Sequence, residues 1–270
     1  MISSLNNPKI KHIVQLTKSA KDRRGEGVYI IEGPKMCLEA DPKMITEVYV
    51  TEEYLSHGGL LPEGFSPSES CGTVSQKTSD PVCEIVSEEV MRKMSDTTTP
   101  QGILCVVKRS SLSADKMLNE HANGSLKLLI LEGIQDPGNL GTMARTAEAA
   151  GFDAIIADEK TVDIYNPKTI RSTMGAIFRL PILYVGSLAE YIPVIKNYGV
   201  RLYAAHLRGD TDYKDADYGD RIGILIGNEG NGLSDEVTDL ADMLVKIPMH
   251  GKAESLNAAV AAAILMYQAE

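Results

Sequence analysis

No apolar run in this 270-residue chain is long enough to span a bilayer; the longest, residues 258–267, is short and rich in alanine. The first residues are polar and basic and lack the apolar core of a secretion signal, so a cytoplasmic protein is expected. Cysteine is scarce. Cys37, Cys71, Cys83 and Cys105 show neither CxxC spacing nor a neighbouring histidine cluster, which points to reduced thiols and away from zinc. There is no Walker A sequence, no GxGxxG after the first strand of either half and no HExxH, and no histidine sits at ligand spacing from another. Hydride transfer, phosphoryl transfer from a P-loop nucleotide and metal-dependent hydrolysis all lose support, and no metal is expected.

What is present is an ordinary globular composition, 43% hydrophobic and 24% charged, with enough apolar content for two domains. The net charge of −10 argues against indiscriminate coating of nucleic acid. The basic charge is nonetheless gathered at one end, where Lys9, Lys11, Lys18, Lys21, Arg23 and Arg24 face the single acid Asp22. If the partner is a polyanion, this segment should meet it first, with Lys9, Lys11, Arg23 and Arg24 as contacts; a solvated basic helix face accounts for the same charges.

The spacing of Ile10, Ile13, Val14 and Leu16 predicts one amphipathic helix over 8–20. Strands are expected at 28–31, 47–51 and 103–107, helices at 34–38 and 87–94, and a mobile loop at 56–70. This alternation makes residues 1–108 a small α/β domain. Residues 109–125 have the polarity of a linker, with at most a helical turn at Met117-Leu118. Residues 126–270 form the second domain. The apolar runs 126–131, 154–157, 181–185, 200–205 and 222–226 read as buried strands of a parallel sheet, with helices from Asn139 to Ala150, Lys168 to Phe178 and Leu188 to Asn197 between them. The acidic stretch 210–220 reads as a solvated loop. Such a βαβα pattern places a ligand crevice at the carboxyl ends of the strands.

Three polar clusters stand at predicted strand ends. The first is Asn139, expected to cap a helix, with Gly141 and Arg145 further along it. The second is the turn Gly227-Asn228-Glu229-Gly230, which lays backbone bare after the strand 222–226. The third follows a short strand at 245–248, whose loop leads to a helix with Ser255 at its N-cap and Asn257 in its first turn. Taken singly, Asn139 and Ser255 are helix caps, Arg145 a surface arginine and Leu256 a core residue.

Together the clusters resemble the SpoU (TrmH) class of SPOUT RNA 2′-O-ribose methyltransferases. Asn139-Leu140-Gly141-Thr142-Met143-Ala144-Arg145-Thr146-Ala147 is similar to the first motif of that family, and Leu225-Ile226-Gly227-Asn228-Glu229-Gly230-Asn231-Gly232-Leu233 to its second. Ile247-Pro248-Met249 with Glu254-Ser255-Leu256-Asn257 is similar to the third. The first hundred residues, with Tyr29-Ile30-Ile31-Glu32-Gly33 and Thr99-Pro100-Gln101-Gly102, resemble the small ribosomal-protein-like RNA-binding domain that precedes the catalytic domain in many members.

The resemblance implies a parallel α/β sheet with a deep C-terminal trefoil knot, a homodimer, and a bent S-adenosylmethionine in a pocket formed by Gly227, Asn228, Ile247, Met249 and Leu256. It also implies an RNA substrate, with ribosomal RNA favoured over transfer RNA. Arg145 would contact the target nucleotide, and Asn139 would position the ribose or Arg145. Glu229 would orient Arg145 or substrate, while Ser255 and Asn257 would hold the ribose and the pocket loop. Two other readings remain: a non-catalytic RNA-binding protein on the same scaffold, and a doubly wound enzyme whose 227–232 turn cradles the phosphate of another nucleotide.

Overall fold

A computed structural model describes residues 1–67 and 82–269 of the chain, so Cys71 and the end of the expected loop at 56–70 lie outside the described residues. Two compact units emerge, one of Met1–Ser110 with Tyr165–Ile170, the other of Ser111–Ile164 with Arg171–Glu270.

The first unit runs α1 (Pro8–Lys18), α2 (Ala20–Glu26), β1 (Val28–Glu32), α3 (Pro34–Glu39), β2 (Ile45–Thr51), α4 (Glu52–Ser56), β3 (Val82–Val86), α5 (Glu88–Met94) and β4 (Ile103–Lys108). Its sheet has the order β1-β4-β2-β3, with β4 antiparallel to both neighbours and β2 parallel to β3. Ile10, Ile13 and Leu16 of α1 are buried with Val90, Met91 and Met94 of α5 and with Ile30, Tyr49 and Leu104 of the sheet. The apolar spacing of α1 therefore does what it predicts, but the helix does not run on to residue 20. Ser19 adopts extended backbone, and its hydroxyl accepts from the Asp22 N–H at 3.2 Å to start α2.

That break changes the role of Arg23. Expected as an RNA contact, it is only 2% exposed, and its Nη1 donates to the carbonyls of Leu16 at 2.8 Å and Thr17 at 3.1 Å. These carbonyls lie in the last turn of α1, where helical partners run out and a cation is favoured. Arg23 is thus a cap for α1 and is withdrawn from any external partner. Lys11 and Arg24 are exposed, and Lys9 is paired with Glu84 at 2.5 Å.

In the second unit, α6 (Ala114–Glu120) precedes β5 (Leu126–Leu131), α7 (Pro137–Ala149), β6 (Ala154–Asp158), α8 (Pro167–Thr173), β7 (Ile182–Val185) and α9 (Leu188–Asn197). Then follow β8 (Arg201–Ala205), β9 (Thr211–Asp212), β10 (Arg221–Ile226), α10 (Asp235–Asp239), β11 (Met243–Lys246) and α11 (Ala258–Gln268). The sheet order is β7-β6-β5-β10-β8-β11-β9, and every neighbouring pair is parallel. From β5 the chain first builds outward through β6 and β7, then returns to place β8, β10 and β11 on the other side. The carboxyl ends of β5 and β10 flank this reversal, where a doubly wound sheet opens a crevice.

Several local expectations change. Asp136, not Asn139, caps α7: its carboxylate accepts from the Asn139 N–H at 2.8 Å, and Pro137 takes the first helical position. The helix expected over 168–178 breaks after Thr173, because Met174 and Gly175 take positive φ of 51° and 98° before a 3-10 turn at Ala176–Phe178. The acidic stretch 210–220 contributes the edge strand β9. Residues 111–125, expected within a linker, belong to the second unit, where Ala114, Met117 and Leu118 of α6 join a core containing Leu126, Ile192, Ile195 and Leu202.

If α6 is structural in this sense, Met117→Ala should destabilise the second unit by about 2–5 kcal/mol, the usual cost of truncating a buried methionine. Urea unfolding of the full chain measures it; a change near zero would return α6 to the status of a connector.

Candidate active site

Strand β10 ends at Ile226 and delivers Gly227, where only a glycine can stand: a Cβ there would overlap the backbone of Gly232 and Leu233. The turn so permitted is stapled by Asn228. Its backbone exchanges hydrogen bonds with Gly232, N–H to carbonyl at 3.0 Å and the reverse at 2.9 Å. Its side-chain oxygen accepts from the N–H groups of Gly230 at 2.9 Å and Asn231 at 3.0 Å, while Nδ2 donates to the Gly133 carbonyl at 2.8 Å. Asn228 thereby fixes the turn to the loop after β5.

The next residue gathers the motifs. Glu229 accepts from the Gln135 N–H at 3.1 Å (Oε2), the Asp136 N–H at 3.2 Å (Oε1) and Asn139 Nδ2 at 3.0 Å (Oε1). Asn139 Oδ1 in turn accepts from Asn257 Nδ2 at 3.0 Å. Asn257 Oδ1 accepts from the N–H groups of Ala259 at 2.9 Å and Val260 at 3.2 Å, which makes Asn257 the N-cap of α11. The chain has one direction. A carboxylate can only accept, so Asn139 must offer it N–H, which leaves its oxygen for Asn257 and the Asn257 oxygen for the helix. Expected as the cap of α11, Ser255 lies instead in the loop before it, exposed.

Partial desolvation pushes the Glu229 carboxyl upward, yet hydrogen bonds from Asn139, the Gln135 N–H, its own N–H and the Asp136 N–H outweigh it and leave the pKa lowered. The anion is therefore the resting form at neutral pH.

Beside this chain lies a cavity of about 260 Å³, walled by the ends of β8, β10 and β11. Gly227, Asn228, Glu229, Ile247, Met249, Ser255 and Leu256, all from the second and third motifs, line it, whereas Asn139 and Asn257 do not and are joined to it through Glu229. Ala205 at the end of β8 and His206 and Leu207 after it line the cavity too, and no sequence motif singled them out; a polar residue directly after an apolar strand was the available signal. Apolar walls from Ile226, Leu233, Leu256 and Ala261 alternate with the bare backbone of a glycine turn. Such a lining suits a ligand with a flat apolar part and several polar edges, such as a nucleoside.

Arg145 is not brought to the cavity within one chain. It is exposed on α7, six residues and so about 120° around the helix from Asn139, and it is not among the cavity's lining residues. Lys9, Lys11 and Arg24 belong to the first unit and line no part of it. Among the described residues, no group of three or more His, Cys, Asp or Glu could hold a metal, and no helix is long and apolar enough to cross a membrane.

An all-parallel sheet reversing at β5, with its cavity between a glycine turn and an asparagine-capped C-terminal helix, is a SPOUT-type methyltransferase fold. Residues 127–267 match the SpoU rRNA Methylase family and residues 7–105 the MRM3-like substrate binding domain. The chain belongs to the SpoU rRNA methylase family. It is 33% identical over 268 residues to the 23S rRNA (guanosine(2553)-2′-O)-methyltransferase RlmP of Bacillus subtilis, a match covering 98% of this chain and 97% of that one. The AdoMet-bound rRNA methyltransferase of Sinorhizobium meliloti is similar to it with a TM-score of 0.82 at 30% identity, over 99% of this chain and 96% of that one.

The bonding at Glu229 makes a pH prediction. A depressed carboxyl pKa means that the clamp is complete above the ordinary glutamate range and comes apart only as pH falls through the lower, folded-state value. Carbon-detected NMR titration should find Glu229 titrating below a reference glutamate, and Asn139→Ala should move it upward. An unshifted Glu229 in the parent protein would contradict the network.

Proposed function

We propose that this chain is an S-adenosylmethionine-dependent enzyme that methylates a ribose 2′-hydroxyl of ribosomal RNA. The observation that carries the reading is the continuous chain from Glu229 on the cavity wall through Asn139 to Asn257, which ties residues of the first and third motifs to the second. A non-catalytic scaffold would have no need to keep that chain intact, and the wall of the cavity fits an adenosine better than a phosphate, since it offers no lysine or arginine except Lys246. When bound, S-adenosylmethionine supplies an electrophilic methyl group on a sulfonium.

The residues divide the remaining work. Gly227, Asn228, Ile247, Met249 and Leu256 shape the cofactor pocket. Asn139, oriented by Glu229 and Asn257, keeps one N–H of its amide for the ribose. Ser255 meets substrate, a role that its exposure at the cavity and its position before the helix cap support. Arg145 serves as an electrostatic group and not as the base, because a delocalised guanidinium is a poor proton acceptor. It acts by stabilising the developing alkoxide, and the proton leaves to a phosphate oxygen or solvent.

Because Arg145 lies off the cavity in one chain, the active form is a homodimer in which a second copy delivers its Arg145. The state of α11 supports this: its residues are apolar all round, yet Val260 and Tyr267 are 48% and 53% exposed. The knotted C-terminal segment implied by the SPOUT resemblance belongs to the same reading, as do a cytoplasmic location and a division of labour in which residues 1–108 hold RNA and 126–270 carry chemistry. On the first unit, Lys11 and Arg24 remain the exposed basic contacts, with Lys9 available on loss of its pair to Glu84.

Radiolabelled S-adenosylmethionine with ribosomal RNA should yield ribose-methylated nucleotide, and RNA carrying 2′-deoxyribose at the mapped site should accept none. Methylation of the deoxy substrate would mean that a base is modified instead.

The dimer makes a separate prediction. Arg145→Ala and Asn139→Ala should each lose nearly all turnover, while mixing the two variants should recover part of it through hybrid dimers with one intact site. No recovery on mixing, with exchange of subunits demonstrated, would place Arg145 in its own chain's site.

A further inference from the structure

The loop between β5 and α7 is tied down from two sides, and only one of them faces the cavity. Four consecutive backbone N–H groups are committed in pairs. Gln135 and Asp136 donate to Glu229, at 3.1 and 3.2 Å. The preceding two turn the other way: the Gly133 N–H donates to Asp158 Oδ1 at 2.9 Å, and the Ile134 N–H to Thr161 Oγ1 at 3.2 Å.

Asp158 is the last residue of β6 and Thr161 lies in the turn after it; each is 5% exposed, and neither lines the cavity. Asp158 Oδ1 also accepts from the Thr161 N–H at 3.0 Å and the Thr161 hydroxyl at 2.8 Å. The Val162 N–H donates to the Ile134 carbonyl at 2.8 Å, and Gln135 Nε2 reaches the Lys160 carbonyl at 2.7 Å. A buried carboxylate without donors would be costly, and here every donor to Oδ1 comes from its own turn or from the catalytic loop. Gly133 makes the junction possible with a φ of 66°.

We infer that Asp158 and Thr161 are positioning residues for methyl transfer, acting through this loop on Glu229 and Asn139; the inference rests on the activity proposed above. A peptide segment with four successive N–H groups fixed has little freedom left, so the place of the second pair follows the place of the first. Loss of the Thr161 hydroxyl frees the Ile134 N–H and one donor to Asp158, and lets the Gln135 and Asp136 N–H groups drift from the Glu229 carboxylate. Asn139 then loses the partner that orients its amide. The loop itself does not line the cofactor cavity and is bonded to its wall through Asn228 and Glu229, so the apolar part of the pocket is left as it was.

The test compares the full-length parent protein with Thr161→Val, Thr161→Ser and Asp158→Asn. Thr161→Val keeps the side-chain shape and should lower kcat about 10- to 100-fold, the scale expected for misplacement of a reacting group by up to 1 Å, with a much smaller loss of S-adenosylmethionine affinity. Deuterium exchange at the Gln135 and Asp136 amides should quicken in the same variant, and Thr161→Ser should restore both readouts. Asp158→Asn should reproduce the Thr161→Val pattern and serves where that variant does not fold. Parent-like kcat in a folded Thr161→Val, or a fall in kcat with amide exchange at 135 and 136 unchanged, overturns the inference. If the parent protein itself transfers no methyl group to RNA, the proposed activity fails, and the coupling from Thr161 to Gln135 and Asp136 is then judged by exchange alone.

Discussion

The site depends on a single half-solvated carboxylate. Glu229 joins three pieces of chain that are remote in sequence, taking N–H groups from the β5–α7 loop and from Asn139, which in turn holds the cap of α11. Each of those segments is irregular or terminal and would fray on its own, since the ends of helices and strands leave backbone groups without partners. Glu229 offers acceptors where the start of α7 offers donors, so the negative charge also meets the positive end of a helix. Its lowered pKa is the measurable trace of that arrangement.

Much of this could be read before any coordinates. Strand and helix order followed from apolar runs and period, because the buried strands β5, β6 and β10 are apolar along nearly their whole length, as a parallel sheet covered on both faces requires. The short edge strand β9 could not be read that way, since an edge strand of acidic sequence carries no apolar signature. Nor could α6, whose few apolar residues sit among polar ones although Met117 and Leu118 are fully buried. The residues of the second and third motifs that line the cavity could be named from the sequence, but not their relations. Asn139 and Asn257 both looked like parts of helix starts; which residue capped each helix, and that the two amides bond to each other, depends on the meeting of segments 118 residues apart.

Arg23 shows why charge pattern alone misleads. In the sequence it is one of six basic residues between positions 9 and 24, with nothing to set it apart from Arg24. In the fold, Ser19 breaks the helix, and the turn of α2 swings Arg23 back onto the carbonyls of Leu16 and Thr17. Adjacent residues of one basic helix thus do different jobs, one closing the preceding helix and one facing solvent. Of the four basic residues expected as contacts, Lys11 and Arg24 are exposed, Lys9 is paired with Glu84 and Arg23 is buried, so the exposed basic surface is smaller than the composition suggests.

The electrostatics of the cavity bear on the chemistry proposed for it. Attack of an alkoxide on a methyl sulfonium destroys one positive and one negative charge, so a strongly anionic pocket would hold the cationic ground state more tightly than the transition state and slow the step. Glu229 is the one carboxylate among the lining residues, and its lone pairs are directed to three N–H donors of the protein rather than left to the cavity. The donors that lower its pKa therefore also blunt its field where a cation would sit. The same carboxylate can then order the loop and Asn139 without trapping the reactant, a combination that a free glutamate at that rim could not supply and that a neutral glutamine, with only one accepting oxygen, could supply only in part.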